Sequence, residues 1–233
     1  MQQTEQMDRM YRHQRYFYDF SRKYYLLGRD RLLQRMNAKR GDAVLEVACG
    51  TARNLFKLAK MDTGAALYGF DASAEMLKTA AQKMDANPAL RHIDLRHALA
   101  EQFSYDGTFG LDRRFDTVFC SYGLSMIPFW REAVANTLAN VKPGGDFYIV
   151  DFWDQRDLPK IFRSMLVKWL DLFGVKFRPE LMDYLHALST YGAGTLEVES
   201  VGYRYAYIAH FRKTADEHAF EAIMANETAS SAV

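Results

Sequence analysis

The stretch Ala43-Val44-Leu45-Glu46-Val47-Ala48-Cys49-Gly50-Thr51-Ala52-Arg53-Asn54 sets a short, mostly apolar run against a turn of small residues and the start of a helical pattern. Such a run reads as a strand buried on both faces. The small residues after it let backbone approach a ligand closely. Ala48 and Ala52 flank Gly50, so the Gly-x-Gly-x-x-Gly of a dinucleotide-binding turn is absent, and the backbone there is expected to keep to conformations that a Cβ allows. A ligand without a pyrophosphate asks less of the helix N-terminus, so the turn points to an adenosine-type ligand. Asp71 follows Gly50 by 21 residues, close to the roughly 20-residue offset at which a carboxylate accepts ribose hydroxyls. A tight strand-to-helix connection would explain the turn alone; the acid at that offset adds the ligand.

Outward from this stretch, the spacing predicts a helix from about Asn54 to Met61, a strand over Ala66–Phe70, and a helix over Ala74–Met84 capped by Ser73. A strand near Leu90–Arg96, a long loop to Arg114, a strand over Phe115–Ser121, a helix over Arg131–Ala139 and a strand over Asp146–Asp151 follow. Strand alternating with helix predicts a parallel sheet covered on both faces. Thr195–Val201 and Tyr203–Phe211 alternate about Gly202 as an antiparallel hairpin. Before the first strand, apolar positions at helical spacing are divided by Gly28 into two helices. The expected organisation is a helical lid over residues 1–40, an α/β domain over 41–225 with a substrate-side insertion at about 153–192, and a flexible tail over 226–233.

The chain has 233 residues, 49% hydrophobic and 25% charged, enough for one α/β domain with a sizeable core. Its formal charge of +1 argues against a nucleic-acid binder or a disordered chain. Cys49 and Cys120 cannot build a disulfide framework and no leader pattern opens the chain, so a cytoplasmic setting is expected. No apolar run approaches the roughly 18 residues of a spanning helix, and six scattered histidines lack metal-ligand spacing. No metal is therefore expected. The charge is uneven: between Arg9 and Arg40 ten cations face only Asp19 and Asp30, a net +8, and Leu158 to Arg178 holds five cations against Asp171, a net +4.

Glu46-Val47-Ala48-Cys49-Gly50-Thr51-Ala52, Tyr68-Gly69-Phe70-Asp71, Phe115-Asp116-Thr117-Val118 and Lys142-Pro143-Gly144-Gly145 resemble, in order, the successive motifs of class I S-adenosylmethionine-dependent methyltransferases, over roughly residues 40–152. The resemblance implies a Rossmann-like α/β fold with a seven-stranded, mostly parallel sheet ending in an antiparallel hairpin, and S-adenosyl-L-methionine as cofactor. It implies that Glu46 and Gly50 shape the methionine side, that Asp71 holds the ribose and that Ala72 and Met76 flank the adenine. Ala48, Thr51, Asn54, Ala100 and Ser121 complete the expected pocket. The sequence departs from the family pattern at Ala48, at Ala52 and at Leu99, where an acid near the adenine is usual; adenine is then left to backbone groups, Glu101 or Gln102.

Met10-Tyr11, Tyr18-Asp19, Arg22, Tyr25 and Leu27-Gly28-Arg29 resemble the opening of the N-methyltransferases of betaine-lipid synthesis, which trimethylate diacylglyceryl-homoserine. Phospholipid and quinone methyltransferases share a looser version of it. By this resemblance Tyr18, Tyr25 and Arg29 reach the cofactor from a closing lid; an arginine such as Arg22 is a candidate to pair with a substrate carboxylate. Methyl transfer to an amine requires mainly desolvation and orientation, and a quaternary ammonium suits aromatic faces. Tyr18, Tyr122 and Trp153 are the expected aromatic catalytic residues, with Asp151 pairing with the ammonium. Diacylglyceryl-homoserine is the expected acceptor; phosphatidylethanolamine, a quinone or other small molecule, and a regulator that binds cofactor without turnover are the alternatives. Basic segments interleaved with Phe162, Leu166, Trp169, Leu170 and Phe173 predict peripheral contact with an anionic membrane, at its inner face.

Overall fold

The computed structural model describes residues 26–171 and 177–231, leaving out the side chains of Phe162, Val167, 169–171 and 226–231. Tyr18, Arg22, Tyr25 and Phe173 lie outside the described residues. Element order is α1 (Arg29–Arg35), β1 (Ala43–Val47), α2 (Arg53–Lys60), β2 (Ala66–Asp71), α3 (Ala74–Asp85), β3 (Asp94–His97), β4 (Phe115–Ser121), α4 (Trp130–Asn140), β5 (Val141–Phe152), α5 (Lys160–Asp171), α6 (Pro179–Thr190), β6 (Gly194–Val201), β7 (Ala206–Lys213) and α7 (Glu217–Ser231). The seven strands form one sheet in the order β3-β2-β1-β4-β5-β7-β6. The pairs from β3 to β5 are parallel and β7 is antiparallel to both β5 and β6, as the sequence predicts.

Side-chain alternation divides the core between the two faces of the sheet. Leu45, Val47, Val118, Phe147, Ile149 and Ala209 pack on one side with Val134 and Leu138 of α4 and Leu185 and Leu188 of α6. Val44, Phe119, Tyr148, Val150 and Ile208 pack on the other with Leu32 and Leu33 of α1 and Leu55 and Leu58 of α2. Strands β1 and β4, central in the sheet, are buried along almost their whole length, whereas edge strand β6 alternates between half-buried and exposed. Hydrophobic periodicity reports this difference directly, because only an edge strand has a wet face.

Four boundaries differ from the sequence reading. Leu90 belongs to a short 3-10 turn, Pro88–Leu90, whose first amide is capped by Asn87, so β3 begins only at Asp94. The last hairpin turns through Gly202, Tyr203 and Arg204, all at positive φ, which delays β7 to Ala206. Helix α7 continues to Ser231, through the expected tail. Strand β5 starts at Val141, through Pro143-Gly144-Gly145. Lys142 there pairs with Asp116 at 2.5 Å, and Asp116 also accepts from the Ala43 amide. Burial raises the Asp116 pKa, but the amide and the Lys142 and Arg113 charges hold it below the usual carboxylate range. These two motifs therefore tie β1, β4 and β5 at the end of the sheet away from the turn after β1.

Gly28 stands where the sequence predicts a break. It precedes α1 at φ +80°, and a Cβ would come within 3.3 Å of Val150 and Val201. Helix α1 is strapped across the sheet by charge: Arg31 and Arg35 pair with Glu199 of β6, and Asp30 pairs with Lys57 at 2.6 Å. The basic run before residue 40 is thus partly neutralised by the sheet it covers.

Candidate functional site

The turn after β1 is shaped by backbone rather than side chains. Ala48, Gly50 and Ala52 sit at φ +54°, +55° and +59°, so both alanines occupy the small left-handed region, which disfavours residues with a Cβ by roughly 1–2 kcal/mol. The Cys49 amide donates to Phe70 O at 2.9 Å, tying the turn to β2. Asp71 reinforces this contact: one carboxylate oxygen accepts from Gly50 N at 2.7 Å and the other from Ser73 N at 2.8 Å. Ser73 in turn caps α3 by accepting from Met76 N. Asp71 thus stands at the wall of the cleft, its carboxylate oriented by backbone amides.

Glu46 lies on the same face of β1 as Val44, toward α1 and α2. Its Oε1 accepts from Asn54 Nδ2 at 2.6 Å. Its Oε2 is buried without a hydrogen-bond partner, and so is the Ser121 hydroxyl. Burial pushes the Glu46 carboxyl up to about 8, against the pull of the Asn54 hydrogen bond and the Arg29 charge. Burial also pushes both thiols up, so Cys49 and Cys120 are neutral and packed.

Two cavities meet at Ala48, Gly50 and Ser121. One, about 740 Å³, is lined by Leu26, buried Arg29, Glu46, Thr51 and Asn54. The other, about 770 Å³, runs past Asp71, Ala72, Met76, Leu99, Ala100 and Glu101 to Tyr122, Met126, Ile127 and Pro128. S-adenosylmethionine fits this arrangement: the unpartnered Glu46 oxygen suits its α-ammonium, Asp71 its ribose, and the apolar walls its adenine. Of the alternatives for adenine, Glu101 lines the cleft and Gln102 is exposed. The structure thus gathers the described members of the expected cofactor set around two joined cavities.

The expected acceptor residues are differently placed. Tyr122, at φ +57°, lines the cleft but donates its hydroxyl to Leu27 O at 2.6 Å, clasping the segment before α1. Asp151 lies outside the cleft, buried, accepting from Ser125 N at 2.9 Å and Phe152 N at 2.8 Å. Burial raises it to about 6 against those two amides. The Trp153 ring is covered by the Arg204 guanidinium, 3.8 Å from its centroid. Arg204 in turn grips Asp154 at 2.7 and 2.5 Å, which holds that carboxyl well below the usual carboxylate range. Sequence reasoning missed the apolar wall Met126-Ile127-Pro128 and the Arg204 cover. The wall left a readable signal, an apolar run directly after a strand-ending turn. Among the described residues no group of His, Cys, Asp and Glu could hold a metal.

Residues 44–145 match the family model for a methyltransferase domain. The demethylmenaquinone methyltransferase of Geobacillus kaustophilus strain HTA426 is 33% identical over 122 residues, 52% of this chain and 50% of that protein. The chain therefore spans about half the length of such curated relatives. Among solved structures, the putative methyltransferase in complex with the Haloferax volcanii Trm112 methyltransferase activator superposes with a TM-score of 0.66 at 15% identity, covering 84% of this chain and 93% of that one. A SAM-dependent methyltransferase from Aquifex aeolicus gives 0.57 at 17% identity, over 83% and 93%. At those identities the superpositions speak for the fold.

Proposed function

We propose that this chain, whose residues 44–145 match a methyltransferase-domain model, moves a methyl group from S-adenosyl-L-methionine to a small, largely apolar acceptor of the demethylated-quinone kind. The observation that carries this choice is the state of the two groups expected to recognise an ammonium. Asp151 has both oxygens turned to backbone amides outside the cleft, and the Trp153 ring already carries a guanidinium. The cleft instead offers Tyr122, Met126, Ile127 and Pro128, a surface suited to an uncharged ring. The name carried by relatives matched over about half their length supports the same alternative over the lipid amine.

Bound S-adenosylmethionine supplies an electrophilic methyl on a sulfonium. The chain supplies position and dryness: Glu46 and Asp71 hold the two polar ends, the left-handed turn at Ala48 and Gly50 brings backbone close between them, and the apolar wall excludes water from the attacking atom. Tyr122, clasped to Leu27, fixes the segment that enters α1.

The test is incubation with radiolabelled cofactor and, separately, reduced demethylmenaquinone, phosphatidylethanolamine and diacylglyceryl-homoserine, each product weighed by mass spectrometry. Label in the quinone fraction alone is expected. Label in an amine lipid would restore the betaine-lipid or phospholipid reading, and cofactor binding with no product in any arm would favour a regulator.

A further inference from the structure

Among the described residues, one arc of helix α5 has no protein partner. Ile161 is 81% exposed and Met165 67% exposed, and at a spacing of four they lie one above the other. Leu166, about 100° round the helix from Met165, packs inward on the cluster that holds Phe152 and Tyr122. The side of α5 that carries Leu166 therefore faces the core while Ile161 and Met165 point away. Lys160 and Lys168, about 100° and 20° round the helix from Ile161, are exposed beside them with no acid between, while Arg163, also exposed, lies on the opposite side. Among the described residues none of the three has a carboxylate partner. The contrast with α1 is direct, since Arg31 and Arg35 are paired with Glu199.

We infer that α5 docks the protein on an anionic bilayer, with Ile161 and Met165 entering the headgroup layer and Lys160 and Lys168 contacting lipid phosphates. Two large apolar side chains in water flanked by two cations match the makeup of an interfacial helix, which adds apolar insertion to attraction for anionic lipid. A second copy of the chain is the poorer occupant, because it would bring the same two cations against these. None of the described helices is long and apolar enough to cross the membrane, so the contact is peripheral. It serves any acceptor that dissolves in lipid, and leaves the carboxyl edge of the sheet next to the surface from which such an acceptor arrives.

The full chain is floated with vesicles of phosphatidylcholine alone and of an equal mixture with phosphatidylglycerol. Binding is expected to the mixed vesicles only, and to weaken as salt rises. With each cation near an anionic surface worth about fivefold in partition, K160A/K168A lowers binding by about twenty-fivefold; I161S/M165S lowers it by tenfold or more. Both variants alter exposed side chains and keep the wild-type melting temperature and cofactor affinity. Equal binding by wild type and both variants, or no binding by wild type to mixed vesicles, overturns the inference. So does a concentration-dependent dimer in sedimentation velocity that I161S/M165S abolishes, which would make the face a contact between copies. Vesicle binding and methyl transfer are separate readouts, so a wrong acceptor leaves the docking result standing.

Discussion

The two ends of the site treat their acids in opposite ways. On the cofactor side Glu46 keeps one oxygen buried and unpartnered, and Asp71 lines the cleft itself at the turn after β1. On the acceptor side Asp151 and Asp154 are occupied by Ser125 and Phe152 amides and by Arg204. A ligand with fixed charges and hydroxyls leaves such open polar positions behind. A ligand recognised by shape and apolar contact leaves a wall, here Met126-Ile127-Pro128, and protein groups that satisfy one another.

The largest test exchanges acids between the ends. Asp71→Ala is expected to weaken S-adenosylmethionine binding by about a hundredfold in calorimetry, since hydrogen bonds to a charged group contribute roughly 1.5–3 kcal/mol each. Asp151→Asn is expected to leave that affinity within twofold and lower stability by about 1–2 kcal/mol through the Ser125 anchor. Equal losses of affinity in the two variants would break the comparison.

Protonation sharpens it. Glu46 is raised to about 8 from 4.5, so its contribution to stability is full below pH 4.5 and is lost as pH rises through about 8. Asp151, raised to about 6 from 3.8, acts in the same direction over a lower window. Glu46→Gln should therefore flatten the melting temperature between pH 6 and 8, and Asp151→Asn should flatten it between pH 4 and 6. Cofactor affinity in wild type should climb by up to about tenfold per pH unit from 6 to 8, because the α-ammonium pairs with ionised Glu46. In Glu46→Gln it should be level with pH, and about thirtyfold weaker than wild type at pH 8.

The cofactor half was readable because its elements obey local rules. A buried strand, a small-residue turn and an acid at a fixed offset lie within 28 residues of one another, Val44 to Asp71, and Ser73 caps its helix as its residue type predicts. The acceptor half depends on contacts far apart in sequence. Nothing local to Trp153 announces Arg204, 51 positions on, and the guanidinium arrives only because three successive positive-φ residues turn the hairpin back. The surroundings of Asp151 are hidden for the same reason: an acid at a strand end shows nothing of Ser125, 26 residues earlier, until the chain is folded. The net charge was equally silent about pairing, since Glu197 and Glu199 answer Arg31 and Arg35 from the far edge of the sheet.

Removing the cover over Trp153 gives a smaller effect with its own signature. Arg204→Ala deletes a two-point ion pair and a cation–π contact on a partly exposed surface, together about 1–2 kcal/mol, a fall of roughly 2–6 °C in melting temperature at this size. If the acceptor half lacks an ammonium site only because Arg204 fills it, the variant should quench Trp153 fluorescence with a choline-type headgroup while wild type does not. A wild-type response equal to the variant's would mean that the ring is open to cations already, and would return the lipid amine to first place.

The smallest expected effect belongs to the cofactor turn. Ala48 holds φ +54° with a Cβ where glycine would be unstrained. Ala48→Gly relieves roughly 1 kcal/mol of left-handed backbone and gives back part of it through the looser unfolded chain. The net expectation is a stabilisation of about 0.5 kcal/mol, near 1–2 °C, with cofactor affinity unchanged within twofold. The same change at Ala52, also at positive φ, should gain nothing, because Ala52 is fully buried and its methyl contributes about as much as the strain removes. Opposite results at the two alanines would mean that the cavity face of the turn, rather than its packed face, carries the strain of close approach.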